Sequence, residues 1–299
     1  MKIAVAGEVL WDLVAGREFL GGAPFNFAVN AKRLGHEVLF VSGVGEDCRG
    51  EKILREMGRL GLSTEYVTKV PEQPTGTVSA TVDPSGQPAY VIHRPAAYDF
   101  PKLTASQLQA LADDPPDWVA YGTLQQLSSA AHEVLLSLLK ALPKARRFYD
   151  VNLRHDCYNG ALVRNLLERA SVLKLNQDEA YEVGSMLGIA TGSLETFCRE
   201  CRGRFDLAAV CVTRAAAGCV LLTDEFIEAP GYAIPVADTI GAGDAFSAAL
   251  VHGLNAGCPA AQVADFANRL GAVVASHAGA IVEWSQAELE DLQRSSAKH

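Results

Sequence analysis

The sequence predicts an α/β fold in which a mostly parallel sheet carries helices on both faces and a small second sheet stands off it. Three observations carry this. From Pro101 onward helix-like and strand-like segments alternate: 105–111 with 118–121, 130–142 with 147–149, 161–170 with 172–175, then 179–187 and 194–201 with 208–213. That is the rhythm of strands joined by crossover helices. Between residues 63 and 100 helical periodicity stops, and Thr75-Gly-Thr-Val-Ser-Ala-Thr-Val82 and Pro88-Ala-Tyr-Val-Ile-His93 flank the turn Asp83-Pro-Ser-Gly86. Finally, 299 residues, 49% hydrophobic and 20% charged, suffice for one domain, 1–299, with a substantial core.

The first half can be taken in order. Residues 2–6 form a short apolar strand ending at Gly7, and Asp12 follows. Gly21-Gly22-Ala-Pro-Phe-Asn26 leads into a helix over 27–34 that Gly35 stops. A double glycine before a helix lets another molecule approach the backbone closely, while the plainer alternative is a tight loop with Asn26 as the cap. A strand over 38–43, the run Gly45-Glu-Asp47-Cys-Arg-Gly50 and a helix over 51–60 come next. The small sheet is expected to be antiparallel and to come from 11–22 together with 64–100.

In the second half, ligands of such a sheet bind beyond the carboxyl ends of the strands. Polar residues stand there in groups: Asp150, Asn152 and Arg154, then Asn176 and Glu179, then Thr213 and Arg214. Any one suits a helix cap or a solvated charge. Their convergence on one edge argues for a site.

The sharpest chemistry lies in Asp238-Thr-Ile-Gly-Ala-Gly-Asp244. Gly241, Ala242 and Gly243 feed a helix that runs through Leu254 until Asn255, Gly257 and Pro259 stop it. Such a turn aims backbone N–H groups and the positive end of the helix dipole at one point, which suits a phosphate. A carboxylate at that point repels the anion unless it takes a proton from the attacking group, so the stretch points to phosphoryl transfer to a hydroxyl. An N-capped helix with Asp244 in its first turn is the structural alternative.

Asp238-Thr239, Gly243-Asp244 and Ala248-Ala249 resemble the second signature of the ribokinase-like (PfkB-type) carbohydrate kinases. Gly21-Gly22, Pro24, Asn26, Ala28, Gly35 and Gly45 resemble the first. The resemblance runs over essentially the whole chain and implies a ribokinase-like three-layer α/β/α fold with a β-sheet lid. It further implies ATP and Mg²⁺, a monosaccharide acceptor and pairing of two chains through the lid. Gly-Glu-Val-Leu-Trp-Asp12, Gly-Gly-Ala-Pro-Phe-Asn26 and Asp150-Val-Asn-Leu-Arg154 look like the fructokinase branch; 2-keto-3-deoxygluconate kinase and ribokinase are the nearest rivals. A non-catalytic sugar- or nucleotide-sensing protein on the same fold is the rival from another class.

On this resemblance Asp244 is the base and Gly241, Ala242 and Gly243 form the anion hole. Asp12, Gly21, Gly22, Asn26 and Asp244 hold the sugar, with Arg94 either joining them or remaining a solvated basic residue. Asn176-Gln-Asp-Glu179 matches the N-x-x-E motif, which places Glu179 near Mg²⁺ through water, although capping boxes look alike. Thr213 and Gly218 face the nucleotide, where Ala215 stands in for the first glycine of T-x-G-x-x-G. Gly241 and Gly243 take its phosphates, and Asn268 would stand beside the purine. The loop begun by Asp238 and Ile240, with Ser276 and Gly279, would bind K⁺, the alternative being that Asp238 simply hydrogen-bonds the turn.

Composition excludes other classes. A net charge of -9, a pI near 5.3 and no basic run argue against nucleic acid or an anionic membrane as partner. No apolar run reaches membrane length, so the chain is expected in the cytoplasm. Seven cysteines without a framework suit a reducing compartment, and the Cys198–Cys201 pair reads as inert thiols. There is neither a Walker A sequence nor a G-x-G-x-x-G after the first strand.

Overall fold

The computed structural model describes residues 1–82 and 88–296, so the turn expected at Asp83-Pro-Ser-Gly86 and the last three residues lie outside the described residues. The main sheet grows in both directions from β1 (Lys2–Ala6). β2 (Leu10–Val14) and β3 (Arg17–Gly21) leave it as an antiparallel ribbon, and α1 (Ala23–Arg33) returns the chain. β4 (Glu37–Gly45), α2 (Cys48–Arg59) and β5 (Val67–Val70) extend the sheet on one side of β1. β6 (Gly76–Val82) and β7 (Pro88–His93) then rejoin the ribbon.

The chain next crosses to the other side of β1 through α3 (Ala105–Asp113) and β8 (Trp118–Tyr121). It continues outward through α4 (Ser129–Ala141), β9 (Arg146–Asp150), α5 (Gly160–Leu167), β10 (Val172–Asn176), α6 (Gln177–Leu187), α7 (Leu194–Phe205) and β11 (Ala209–Thr213). β12 (Cys219–Leu222) and β13 (Phe226–Ala229) close the edge, followed by α8 (Ala242–Asn255), α9 (Ala260–Ala275) and α10 (Gln286–Ser296).

The sheet order is β13-β12-β11-β10-β9-β8-β1-β4-β5, parallel except for β12 and β13. Alternation along the strands divides the core in two. Ile3, Val5, Val38, Phe40 and Phe148 face α1, α2, α8 and α9, while Ala4, Ala6, Leu39, Val41 and Tyr149 face α3 to α7. Phe27 of α1 stacks on Phe148 at 5.7 Å, directly beneath the carboxyl edge. Burying side chains of this size gives about 1.5–3 kcal/mol each, which is what holds α1 to the sheet.

Two expectations need correction. Val67–Val70 is not part of the small sheet: it pairs in parallel with Ser42–Gly45 of β4. Four residues, Val-Thr-Lys-Val, carry no information about their partner, and here burial of Tyr66 and Val70 against the main sheet decides it. The second sheet, in the order β3-β2-β6-β7, is also mixed and not antiparallel throughout, because β2 and β6 run parallel.

The strand order reverses between β1 and β8, so the loops after these strands, at Gly7-Glu8 and Gly122-Thr123, splay apart into a crevice. The second sheet overhangs it.

Candidate active site

The crevice is a cleft of about 370 Å³ lined by Glu8, Pro24, Phe27, Thr123, Asp150 and Asn152, among others. α1 and α8 both point their N-termini at it, and each begins at a glycine. Gly22 has φ of 111°, and a Cβ there would come within 2.6 Å of the Glu8 carbonyl oxygen. Gly241 has φ of 78°, and a Cβ there would come within 2.6 Å of the Ala280 carbonyl oxygen. Any other residue would be strained and would collide with backbone. α8 has no side-chain cap, so its first turn presents bare amides, and Asp244 is its third residue.

Asp244 is held across the helix pair: Asn26 Nδ2 donates to its Oδ2 at 2.8 Å. Beneath it lies a buried ion pair in which Lys174 Nζ donates to both Asp150 oxygens at 3.0 and 3.2 Å. The Ser247 hydroxyl, one turn after Asp244, lies 2.7 Å from Asp150 Oδ2 and 2.9 Å from the Gly243 carbonyl oxygen. Burial raises the Asp244 carboxyl to about 6; Asp150 pushes the same way, while Asn26, Lys174 and Arg154 pull against it. Burial pushes Lys174 down, but Asp150, Glu179 and Asp244 outweigh it and hold the ammonium charged. Burial also raises the carboxyl of Asp12, with Arg154 opposing it.

The residues expected to hold a sugar converge. Asp12 lies on β2 with its carboxylate against Gly21, where a Cβ would come within 2.5 Å of Oδ2, and Gly22 and Asn26 follow at once. Arg94 does not fit either expectation. Its Nη2 and Nε donate to Asp99 at 2.5 and 3.2 Å and its Nη1 to the Leu124 carbonyl at 2.8 Å, so it is neither solvated nor aimed at a ligand. It ties the end of β7 to the body. Asp47 does the same for β6: it caps α2 through Gly50 N–H and accepts from Thr75 N–H and hydroxyl at 2.8 and 2.7 Å.

On the nucleotide side Asn176 and Thr213 are register partners at the ends of β10 and β11. Asn176 and Glu179 form a capping box, and the other Glu179 oxygen accepts from Leu153 N–H at 2.8 Å, which pins the loop after β9. Ala215 takes φ of 48°, a backbone setting that glycine adopts more readily. Gly218 is packed backbone to backbone against Ala229. Asn268 does not stand free beside a purine: its amide donates to the carbonyls of Ala229 and Pro230 at 3.3 and 3.0 Å and holds β13 on α9. Asp238 accepts from Ile240 N–H at 3.0 Å and Gly279 N–H at 3.1 Å, so it joins the two loops, while Ser276 bonds back to the Val273 carbonyl. Cys198 and Cys201 are buried in α7, and burial pushes both thiols up to about 12.

Sequence reasoning missed Lys174 and Glu8. Lys174 had a signal, a charge inside the apolar strand Val172-Leu-Lys-Leu175, since a lysine is rarely buried without a partner. Glu8, 4% exposed, had only its place just after β1.

Residues 4–287 match the model of the pfkB family carbohydrate kinases. The chain is a pfkB-family carbohydrate kinase. It is 28% identical over 320 residues to a fructokinase of Klebsiella pneumoniae, covering 98% of this chain and 99% of that protein. Its fold is similar to a Xylella fastidiosa fructokinase solved with bound ATP, at a TM-score of 0.85 and 20% identity over 99% of both chains. It is also similar to a fructokinase double mutant of Vibrio cholerae O395 solved with fructose, ADP and a potassium ion, at a TM-score of 0.81 and 21% identity over 97% of both chains. As a pfkB-family carbohydrate kinase it transfers phosphate from ATP to a sugar.

The place of Arg94 in this kinase yields a test. Arg94→Ala strands the buried Asp99 carboxylate, so it is expected to cost about 3–5 kcal/mol of stability in denaturant unfolding. A variant that keeps its stability and loses only sugar affinity would make Arg94 a substrate contact after all.

Proposed function

We propose that this kinase phosphorylates fructose, with Asp244 as the base. The observation that carries the reading is a half-buried carboxylate in the first turn of an uncapped helix, held by Asn26 from the facing helix. The sugar hydroxyl oxygen attacks the γ-phosphorus, its proton passes to Asp244, and the bond to the β-phosphate oxygen breaks to release ADP. The amides of Gly241 to Gly243 and the α8 dipole stabilise charge on the transferring group. A Mg²⁺ would be held largely by nucleotide oxygens and water, near Glu179, and would supply neutralisation of the phosphate charge.

Two observations support fructose over 2-keto-3-deoxygluconate. The fructokinase of K. pneumoniae is similar along the full chain. Arg154 is exposed and faces three carboxylates, Glu8, Asp12 and Asp244, which leaves no surplus positive charge for an acidic sugar. The second sheet serves as the lid: Asp12, Phe19, Val78 and Ile92 share one face of it, turned toward Tyr98 and the cleft. Exposed Phe19 and Tyr90 on that sheet supply apolar area that a second copy of the chain would cover. Free cysteines and the absence, among the described residues, of a helix long and apolar enough to cross a membrane support a cytoplasmic setting.

Asp244→Asn is expected to cut turnover by roughly 10²–10⁴-fold with nearly unchanged ATP binding. In the wild type, turnover should fall as pH drops through about 6, because protonation removes the base. The raised carboxyl also makes ionisation costly to the fold, so stability is lost as pH rises through that value. Asp244→Asn should therefore melt above the wild type at pH near 8 and lose that advantage near pH 4. Normal turnover in this variant would refute the base.

The loops joined by Asp238 also support a K⁺ site, for carbonyl and carboxylate oxygens are suitable ligands. Turnover should rise when K⁺ replaces a bulky organic cation at constant ionic strength. A flat titration would leave Asp238 only the hydrogen bonds it makes.

A further inference from the structure

Glu8 occupies the first loop after β1, on the floor of the cleft, 4% exposed. Its Oε2 has no hydrogen-bond partner. Leaving a buried carboxyl oxygen unpaired is costly, and a side chain kept for structure would have been given a partner. The loop has little freedom to relieve it, because the Glu8 carbonyl is packed against Gly22. Two neighbouring residues also keep an unpartnered buried atom: Oδ1 of Asn26, whose amide nitrogen binds Asp244, and the hydroxyl of Tyr98, which interacts electrostatically with Glu8. Unsatisfied polar atoms of this kind suit a ligand with several hydroxyls of its own.

The charged and titratable groups facing Glu8 come from every element around it: Arg154 after β9, Arg94 after β7, Asp244 on α8 and Tyr98. Burial lifts the Glu8 carboxyl to about 7; a hydrogen bond from its own backbone N–H, then Arg154 and Arg94, draw it down, and Asp244 pushes it up. Arg94 is already bound to Asp99 and Lys174 to Asp150, so Arg154 is the cation shared by Glu8, Asp12 and Asp244 without a carboxylate of its own among these.

We propose that Glu8 determines acceptor specificity: its buried carboxyl takes sugar hydroxyls that Asp244 does not deprotonate, and it rejects acceptors that carry a carboxylate there. This rests on the carbohydrate-kinase reading and not on fructose in particular. A carboxylate accepts two hydroxyl protons in charge-assisted bonds, which an amide of the same shape does poorly. Against an acidic acceptor the same carboxylate adds repulsion in a site that water has left.

The test uses the full chain, wild type and Glu8→Gln, on whichever neutral sugar the wild type turns over. Sugar KM should rise roughly 10- to 100-fold in Glu8→Gln, with a smaller fall in kcat and an unchanged KM for ATP. Sugar affinity measured by calorimetry without ATP should tighten in the wild type as pH rises through about 7. That limb should vanish in Glu8→Gln while the one near 6, set by Asp244, remains. The melting temperature of Glu8→Gln at pH near 8 should equal or exceed that of the wild type, since an ionisation disfavoured by burial has been removed. An unchanged sugar KM with the limb near 7 intact overturns the proposal. So does a lowered melting temperature with both KM values raised alike, and so does a wild type that prefers an acidic sugar. Turnover of another neutral sugar in place of fructose refutes fructose alone and leaves the Glu8 comparison to be made on that sugar.

Discussion

The hydrogen bond from Asn26 to Asp244 is the constraint on which the site depends, because it fixes two helix N-termini against each other across the cleft. Each helix starts at a glycine whose missing Cβ lets backbone touch backbone, Gly22 against Glu8 and Gly241 against Ala280. A shift of either helix would move Asp244, the proposed base, relative to the amides proposed to receive the phosphate, and geometry of this kind is where most of a kinase's rate comes from. The core beneath serves the same end. The Phe27–Phe148 stack anchors α1 to β9, and Ser247 and Asp150 anchor α8 to the same strand.

The second sheet is joined to this part of the structure at two charged points. Asp47 binds Thr75 at the root of β6, and Arg94 binds Asp99 and the Leu124 carbonyl after β7. Between these roots the sheet projects, and its cleft face carries Asp12. Under the proposed function, motion of this sheet would carry Asp12 without disturbing Asp244, which would separate closure from the chemistry.

Much of this was legible in the sequence. The parallel sheet followed from alternation, since a buried strand and an amphipathic helix leave different periods. The turn proposed to receive the phosphate followed from its glycines, of which Gly241 meets the Ala280 backbone at a positive φ that favours glycine. What escaped was what periodicity cannot encode. Val67–Val70 has the same local pattern in either sheet, and only the register with β4 assigns it. Arg94 and Asn268 looked available for ligands because sequence shows a polar group but not its partner; Asp99, Ala229 and Pro230 engage them. Glu179 shows the reverse, for the capping box that looks like a plain helix start also fastens the loop leading to Arg154.

The Lys174–Asp150 pair is the clearest case of a residue whose value is not stability. An ion pair buried so far from water gains little over apolar side chains of the same size. Its effect falls on its neighbours. Burial raises the Asp244 carboxyl most and Asp150 pushes it further up, while Asn26, Lys174 and Arg154 draw it back, so the proposed base sits near 6. A base held there is ionised at neutral pH and still binds a proton more tightly than a solvated aspartate, which is the compromise that general-base transfer from a sugar hydroxyl requires. The ammonium also lies close under the anion hole, 3.6 Å from where a Cβ of Gly243 would stand. The strand that breaks its apolar run for one lysine thus sets the electrostatics of the turn above it.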